Sequence, residues 1–81
     1  MEYPTIKAVS IIGRYTLLVI FSNNDKRIYD VSPLLDREIF FALKNPVFFK
    51  NVRIDSGGFA LTWGKDTDIS EYEIWVHGTP A

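Results

Sequence analysis

The chain has no cysteine, one histidine and one methionine in 81 residues. Without cysteine there is no disulfide framework, no thiolate nucleophile and no cysteine-ligated zinc. With His77 as the only histidine, no multi-histidine metal site can be assembled. Charge of one sign is lacking as well: nine basic and ten acidic residues give a net charge of -1. The basic field expected of a stand-alone nucleic-acid binder is therefore absent. No apolar run is longer than five residues, as in Leu17 to Phe21, against roughly 20 for a membrane helix. Met1-Glu2-Tyr3-Pro4 has neither the basic nor the apolar region of a signal peptide. These absences predict a soluble cytoplasmic protein, one domain over residues 1–81, with no cofactor. In a domain this small, burial barely offsets chain entropy, so a partner or a second copy would help.

What is present is β-forming sequence followed by helix-cap signals. Ile6 to Ile12 reads as a strand with Ile6, Ala8, Ser10 and Ile12 on one face and Lys7, Val9 and Ile11 on the other. Gly13-Arg14 supplies a hairpin turn. Tyr15 to Phe21 is apolar on both faces and reads as a central strand. Ser22 to Asp25 is a turn by composition, and Lys26 to Asp30 returns with Arg27 and Tyr29 opposed to Ile28. Ser32-Pro33 pairs an N-cap with a proline at the first helical position. Asp36 to Lys44 is expected to be a short helix with Ile39, Phe40 and Leu43 along one stripe. Asn45-Pro46 repeats the capping device. Asn51 to Asp55 and Phe59 to Trp63 form a second hairpin about Ser56-Gly57-Gly58, with Phe59, Leu61 and Trp63 on one side. Ser70 precedes Glu73 at the capping-box spacing, Ile69 and Ile74 can form a staple, and Gly78 stops a helix over Glu71 to His77. The expected fold is α+β: a small antiparallel sheet, made of a three-strand meander and a second hairpin, with two or three short helices.

The chemistry-bearing residues favour structural roles. His77 is expected at a helix C-terminus, where the dipole favours its charged form. No serine has the strand-to-helix setting of a nucleophile elbow. Asp30 is placed to bond amides of the turn that follows it. Asp66 and Asp68, with Asp55, lack the loop that would bring six to eight oxygens to calcium; Asp68 is expected to favour the tail helix or cap a turn before it. Neither GxGxxG nor GxxxxGK[ST] occurs. Lys7, Arg14, Lys26, Arg27, Lys44, Lys50, Arg53 and Lys65 are spread along the chain. Arg14, Arg27 and Arg53, interleaved with Tyr15, Tyr29 and Trp63, are the one arrangement that would serve a single-stranded nucleic acid. Twelve residues are aromatic, with doublets at Phe40-Phe41 and Phe48-Phe49. One short helical face cannot bury both members of a doublet. Phe41, Phe48 and Trp75 are therefore the candidates for a protein contact.

Val9, Tyr15 to Phe21, Arg27-Ile-Tyr-Asp-Val-Ser-Pro-Leu-Leu35, Phe49-Lys-Asn-Val52, Gly58-Phe-Ala-Leu-Thr-Trp63 and Asp68-Ile69 together resemble the bacterial domain-of-unknown-function family 2442, over about Pro4 to Ile74. Asn23-Asn24-Asp25 stands where that family usually has Asp-Gly or Asn-Gly, which implies a different hairpin turn. The resemblance implies a small α+β fold in a bacterial cytoplasm and transfers no catalytic residue. Some relatives carry a helix-turn-helix domain after this module, which implies a regulatory setting; other short relatives suggest a toxin–antitoxin-like context. Three functions follow in order. The first is a non-catalytic interaction or regulatory module, acting as a homodimer or with another small protein. The second is a ligand-binding or enzymatic domain using Asp30, Asp68 and His77. The third is a nucleic-acid accessory module.

Overall fold

The computed structural model describes residues 4–64 and 66–81; Met1, Glu2, Tyr3 and Lys65, which figure in the expectations above, lie outside them. Strands β1 (Ile6–Gly13), β2 (Thr16–Phe21) and β3 (Lys26–Asp30) form the meander. A two-residue strand, β7 (Thr79–Pro80), adds to β3, giving the order β1-β2-β3-β7. The second sheet, β4-β5-β6, comprises Arg53–Ile54, Ala60–Trp63 and Thr67–Ser70. All pairings are antiparallel. Between the sheets in sequence run two 3-10 segments, Ser32–Leu34 and Glu38–Lys44, and a one-turn helix α1 (Pro46–Phe49); α2 (Glu71–His77) precedes β7. The α+β architecture stands, with β6 and β7 added to it.

One core serves both sheets. Leu17, Val19 and Phe21 come from β2, Leu61, Trp63 and Ile69 from the second sheet, Ile74 from α2, and Leu43 and Phe49 from the crossover. Trp63 is fully buried; its ring stacks on Phe49 at 6.0 Å, and its Nε1–H donates to the Phe49 carbonyl at 2.9 Å. That bond satisfies the one polar atom the indole carries into the core. Gly58, at φ +73°, presses against β1: its carbonyl accepts from Ile6 N at 2.7 Å, and a Cβ would stand 2.8 Å from the Ile6 carbonyl oxygen. Only glycine meets both conditions.

Several local expectations are corrected. The even alternation along β1 fails because Ile6 pairs with Phe21 and Ala8 with Ile20, which leaves Lys7 as an extra, bulged residue. The bulge resets the alternation, so Val9 and Ile11 join Ile6 on the core side, while Ala8 and Ser10 face away. The first hairpin turns on Arg14-Tyr15, not on a left-handed Gly13. In the second, Asn24 takes φ 69°, the position glycine fills in an Asp-Gly turn. Ser32 does not cap its turn; the Asp30 carboxylate does, accepting from Ser32 N at 2.9 Å. The segment Glu38–Lys44 is 3-10 rather than α. Three residues per turn align Phe40 with Leu43 and turn Ile39 to solvent. Phe59 precedes β5 and is exposed, with its ring over Gly57. The caps at Asn45 and Ser70 form as expected: Asn45 accepts from Val47 N and Phe48 N, and Ser70 from Glu73 N. So does α2, between the expected bounds.

Candidate functional site

Two shallow clefts flank Glu73, and the sequence-selected polar residues fall into them. One, of about 330 Å³, is lined by Tyr29, Asp30, Pro33, Glu73 and His77 among others. The second, of about 340 Å³, holds Arg37, Phe40, Asp68, Ser70 and again Glu73. Asp30 and His77 thus share a cleft, and Asp68 lies in the adjoining one. Asp68 sits on β6 opposite Thr62, not at the helix start, because Thr67 and Ile69 alternate into the core and leave it facing out.

The groups in these clefts are tied to the fold. The Tyr29 hydroxyl donates to Glu73 Oε2 at 2.9 Å. Burial first, and then that hydrogen bond, push the Tyr29 phenol well above the ordinary tyrosine range. It stays protonated at neutral pH and serves as a donor, never as a base. Glu73 Oε1 lies 3.8 Å from His77 Nε2 on the next turn of α2, an exposed pair of little energetic weight. Asp55, the third candidate carboxylate, accepts from Gly57 N and Phe59 N and shapes the second hairpin. Among the described residues no cluster of three histidine or acidic side chains could hold a metal ion. No described helix is long and apolar enough to cross a membrane.

The aromatic residues divide into two groups. Trp75 is half-buried on α2, edge-on to Phe21 at 5.1 Å, with the Arg27 guanidinium stacked 3.9 Å from its ring centroid. The Arg27 Nε also donates to the Trp75 carbonyl at 3.4 Å. Trp75 and Arg27 therefore bind one another. Phe48 is half-buried beside Gly64. Phe41 stands out from the 3-10 segment, with the Lys44 Nζ 4.6 Å from its ring centroid. Ile39, expected on the buried stripe, and Val47 are exposed as well: Ile39, Phe41 and Val47 are 62%, 61% and 71% exposed. Their sequence signal was an apolar run too dense for a 3-10 segment that buries one residue in three. The platform of Tyr15, Tyr29 and Trp63 does not exist at the surface. Trp63 and Tyr29 are buried, and the Tyr15 hydroxyl donates to the Lys44 carbonyl at 2.9 Å.

The family model described as "Protein of unknown function (DUF2442)" matches residues 6–79. The chain belongs to that family. The match runs from the first residue of β1 into β7, so the DUF2442 unit and the two-sheet fold coincide. No curated protein and no solved structure matches the chain.

Proposed function

We propose that this DUF2442 chain is a non-catalytic protein-interaction module of the cytoplasm, docking a partner through the ridge formed by the 3-10 segment Glu38–Lys44 and α1. The observation that carries the reading is the exposure of Ile39, Phe41 and Val47 within nine residues. Three large apolar side chains turned outward from so short a segment cost solubility unless something covers them. The fold does not need them there, since Leu43 and Phe49, with half-buried Phe40 and Phe48 packed against the core, anchor the segment. The commitment of Asp30, Tyr29 and Asp55 to structural hydrogen bonds supports the non-catalytic part. The absence of cysteine supports the reducing compartment. A regulatory role rests on the family resemblance alone.

The test is capture from native lysate with the tagged chain and with its Ile39→Ser/Phe41→Ser/Val47→Ser variant, both checked by circular dichroism. A stoichiometric protein retained by the first and lost by the folded variant is the expected result. Equal recovery by both, or no recovery by either, contradicts it. A second reading, a small polar ligand in the clefts beside Glu73, rests on Arg37, Glu73 and His77 lining adjoining hollows. It requires a ligand whose binding is lost in Glu73→Gln and kept in the ridge variant.

A further inference from the structure

Strand β2 is apolar on both faces; one is fully buried, and on the other Leu18 and Ile20, with Ile28 of β3, are half-buried. Leu17, Val19 and Phe21 point into the core. Leu18 and Ile20 point the other way, with Ile28 of β3 beside Leu18. None of the three belongs to the core cluster or to the residues packed on it. Antiparallel partners directly opposite one another share a face, so the register maps the whole surface. The central row runs Ser10, Leu18, Ile28, Thr79; the row on one side is Ala8, Ile20, Lys26; on the other side stand Thr16 and Asp30, with Ile12 at the β1 end. An antiparallel sheet facing water normally carries polar side chains at these positions. Here the middle is apolar; Lys26 and Asp30 lie on one strand at equal distances from Ile28, while the bulged, exposed Lys7 at the Ala8 end donates to Asn24 Oδ1.

We infer that this outer face is the contact surface of a homodimer, with a second copy related by a two-fold axis along the Ser10–Leu18–Ile28 row. The inference rests on the reading of the chain as an interaction module and adds a surface and an occupant that the ridge does not supply. The axis follows from the charges. A rotation about that row stacks the sheets face to face and reverses the strand direction. It lays Leu18 on Leu18 and Ile28 on Ile28. It brings Lys26 over Asp30 of the second copy, twice by symmetry, and sets small Ala8 against bulky Ile12. An axis parallel to the strands keeps Lys26 and Asp30 in separate rows and pairs neither charge. Lys26 and Asp30 are both exposed, and Asp30 uses only Oδ1 on Ser32 N, so its second oxygen is free for the lysine. The four strands hold 21 residues, which at about 3.3 Å along and about 4.8 Å across make a face of roughly 330 Å² per copy. Two such faces bury about 670 Å², below the roughly 1,000 Å² of a stable specific interface, so a weak, transient dimer is expected.

Sedimentation equilibrium of the full chain over roughly 10 µM to 3 mM tests the inference. The expected result is a mass rising from one chain toward two, and a mass of one chain throughout for Leu18→Lys with an unchanged far-ultraviolet spectrum. The axis is tested by Lys26→Glu and Asp30→Lys. Each alone weakens self-association at least tenfold, and an equimolar mixture recovers it, because both contacts are then attractive. If Asp30→Lys fails to fold, having lost the bond to Ser32, Lys26→Glu against Lys26→Arg carries the same comparison. A wild-type chain that stays monomeric throughout, or a Leu18→Lys variant that still dimerises, overturns the inference. A dimer insensitive to Lys26→Glu overturns the axis. Loss of dimerisation with ridge-dependent capture intact leaves the ridge reading standing, so the two fail separately.

Discussion

The two faces of β2 differ in what covers them, not in what they are made of. Leu17, Val19 and Phe21 alternate with Leu18 and Ile20 along one strand, all of them apolar. The first set is closed over by the second sheet, the crossover and α2; the second is left to its neighbours in the same sheet. Hydrophobicity along the strand is thus a statement about both surfaces. On one it builds the domain, and on the other it forms the face inferred to meet a second copy. The same contrast recurs in the crossover, where Leu43 and Phe49 are buried while Phe41 and Val47 face outward.

The comparison is broken most directly by truncating each face in turn. Leu17→Ala is expected to cost about 2–5 kcal/mol, since it opens a cavity in a fully closed core. Leu18→Ala should cost less than about 1 kcal/mol at a concentration where the chain is monomeric. Urea unfolding compares them, and equal losses would mean that the outer face is covered within the chain itself. Gly58→Ala should cost about 1–3 kcal/mol, because it forces a side chain into a left-handed conformation against the Ile6 carbonyl. Its loss would measure how firmly β1 is tied to the second sheet. Asn45→Ala removes the cap of α1 and should cost about 1 kcal/mol. Thermal unfolding would show whether the crossover shares in the core's cooperativity. The smallest effect is one of pH. The Tyr29 phenol is raised in the folded state, so its protonated form contributes stability that is complete below the ordinary tyrosine pKa of about 10 and lost as pH rises above it. Midpoints in urea should therefore decline above about pH 10, and less steeply in Tyr29→Phe. An identical slope in both would show that other groups govern alkaline unfolding.

Much of the fold was legible because local chemistry was consistent. The meander followed from alternation and turn residues, and Asn45, Ser70 and Gly78 bounded their helices by capping alone. The errors arose where tertiary pairing decided the outcome. Lys7 bulges to keep β1 in register with β2, and no composition rule marks it. Strand β6 is only Thr-Asp-Ile-Ser, and its alternation was masked by the stronger signal of the Ser70 cap that ends it. Strand β7 has two residues, one of them a proline, and exists only because α2 delivers it to the edge of β3. The site was less legible than the fold. Phe41 was recognisable as surplus to a short helix, but Ile39 turned to solvent only because the segment is 3-10. Trp75 had the sequence character of a contact residue and is taken by Arg27, forty-eight positions away.

The most direct test of the two-face account is a dilution series of methyl NMR spectra on the wild-type chain. Concentration-dependent shifts at the methyls of Leu18, Ile20 and Ile28, with those of Leu17 and Val19 held constant, are the predicted result. Outer-face methyls unmoved from the lowest to the highest concentration would contradict the account, as would shifts led by Leu17 and Val19.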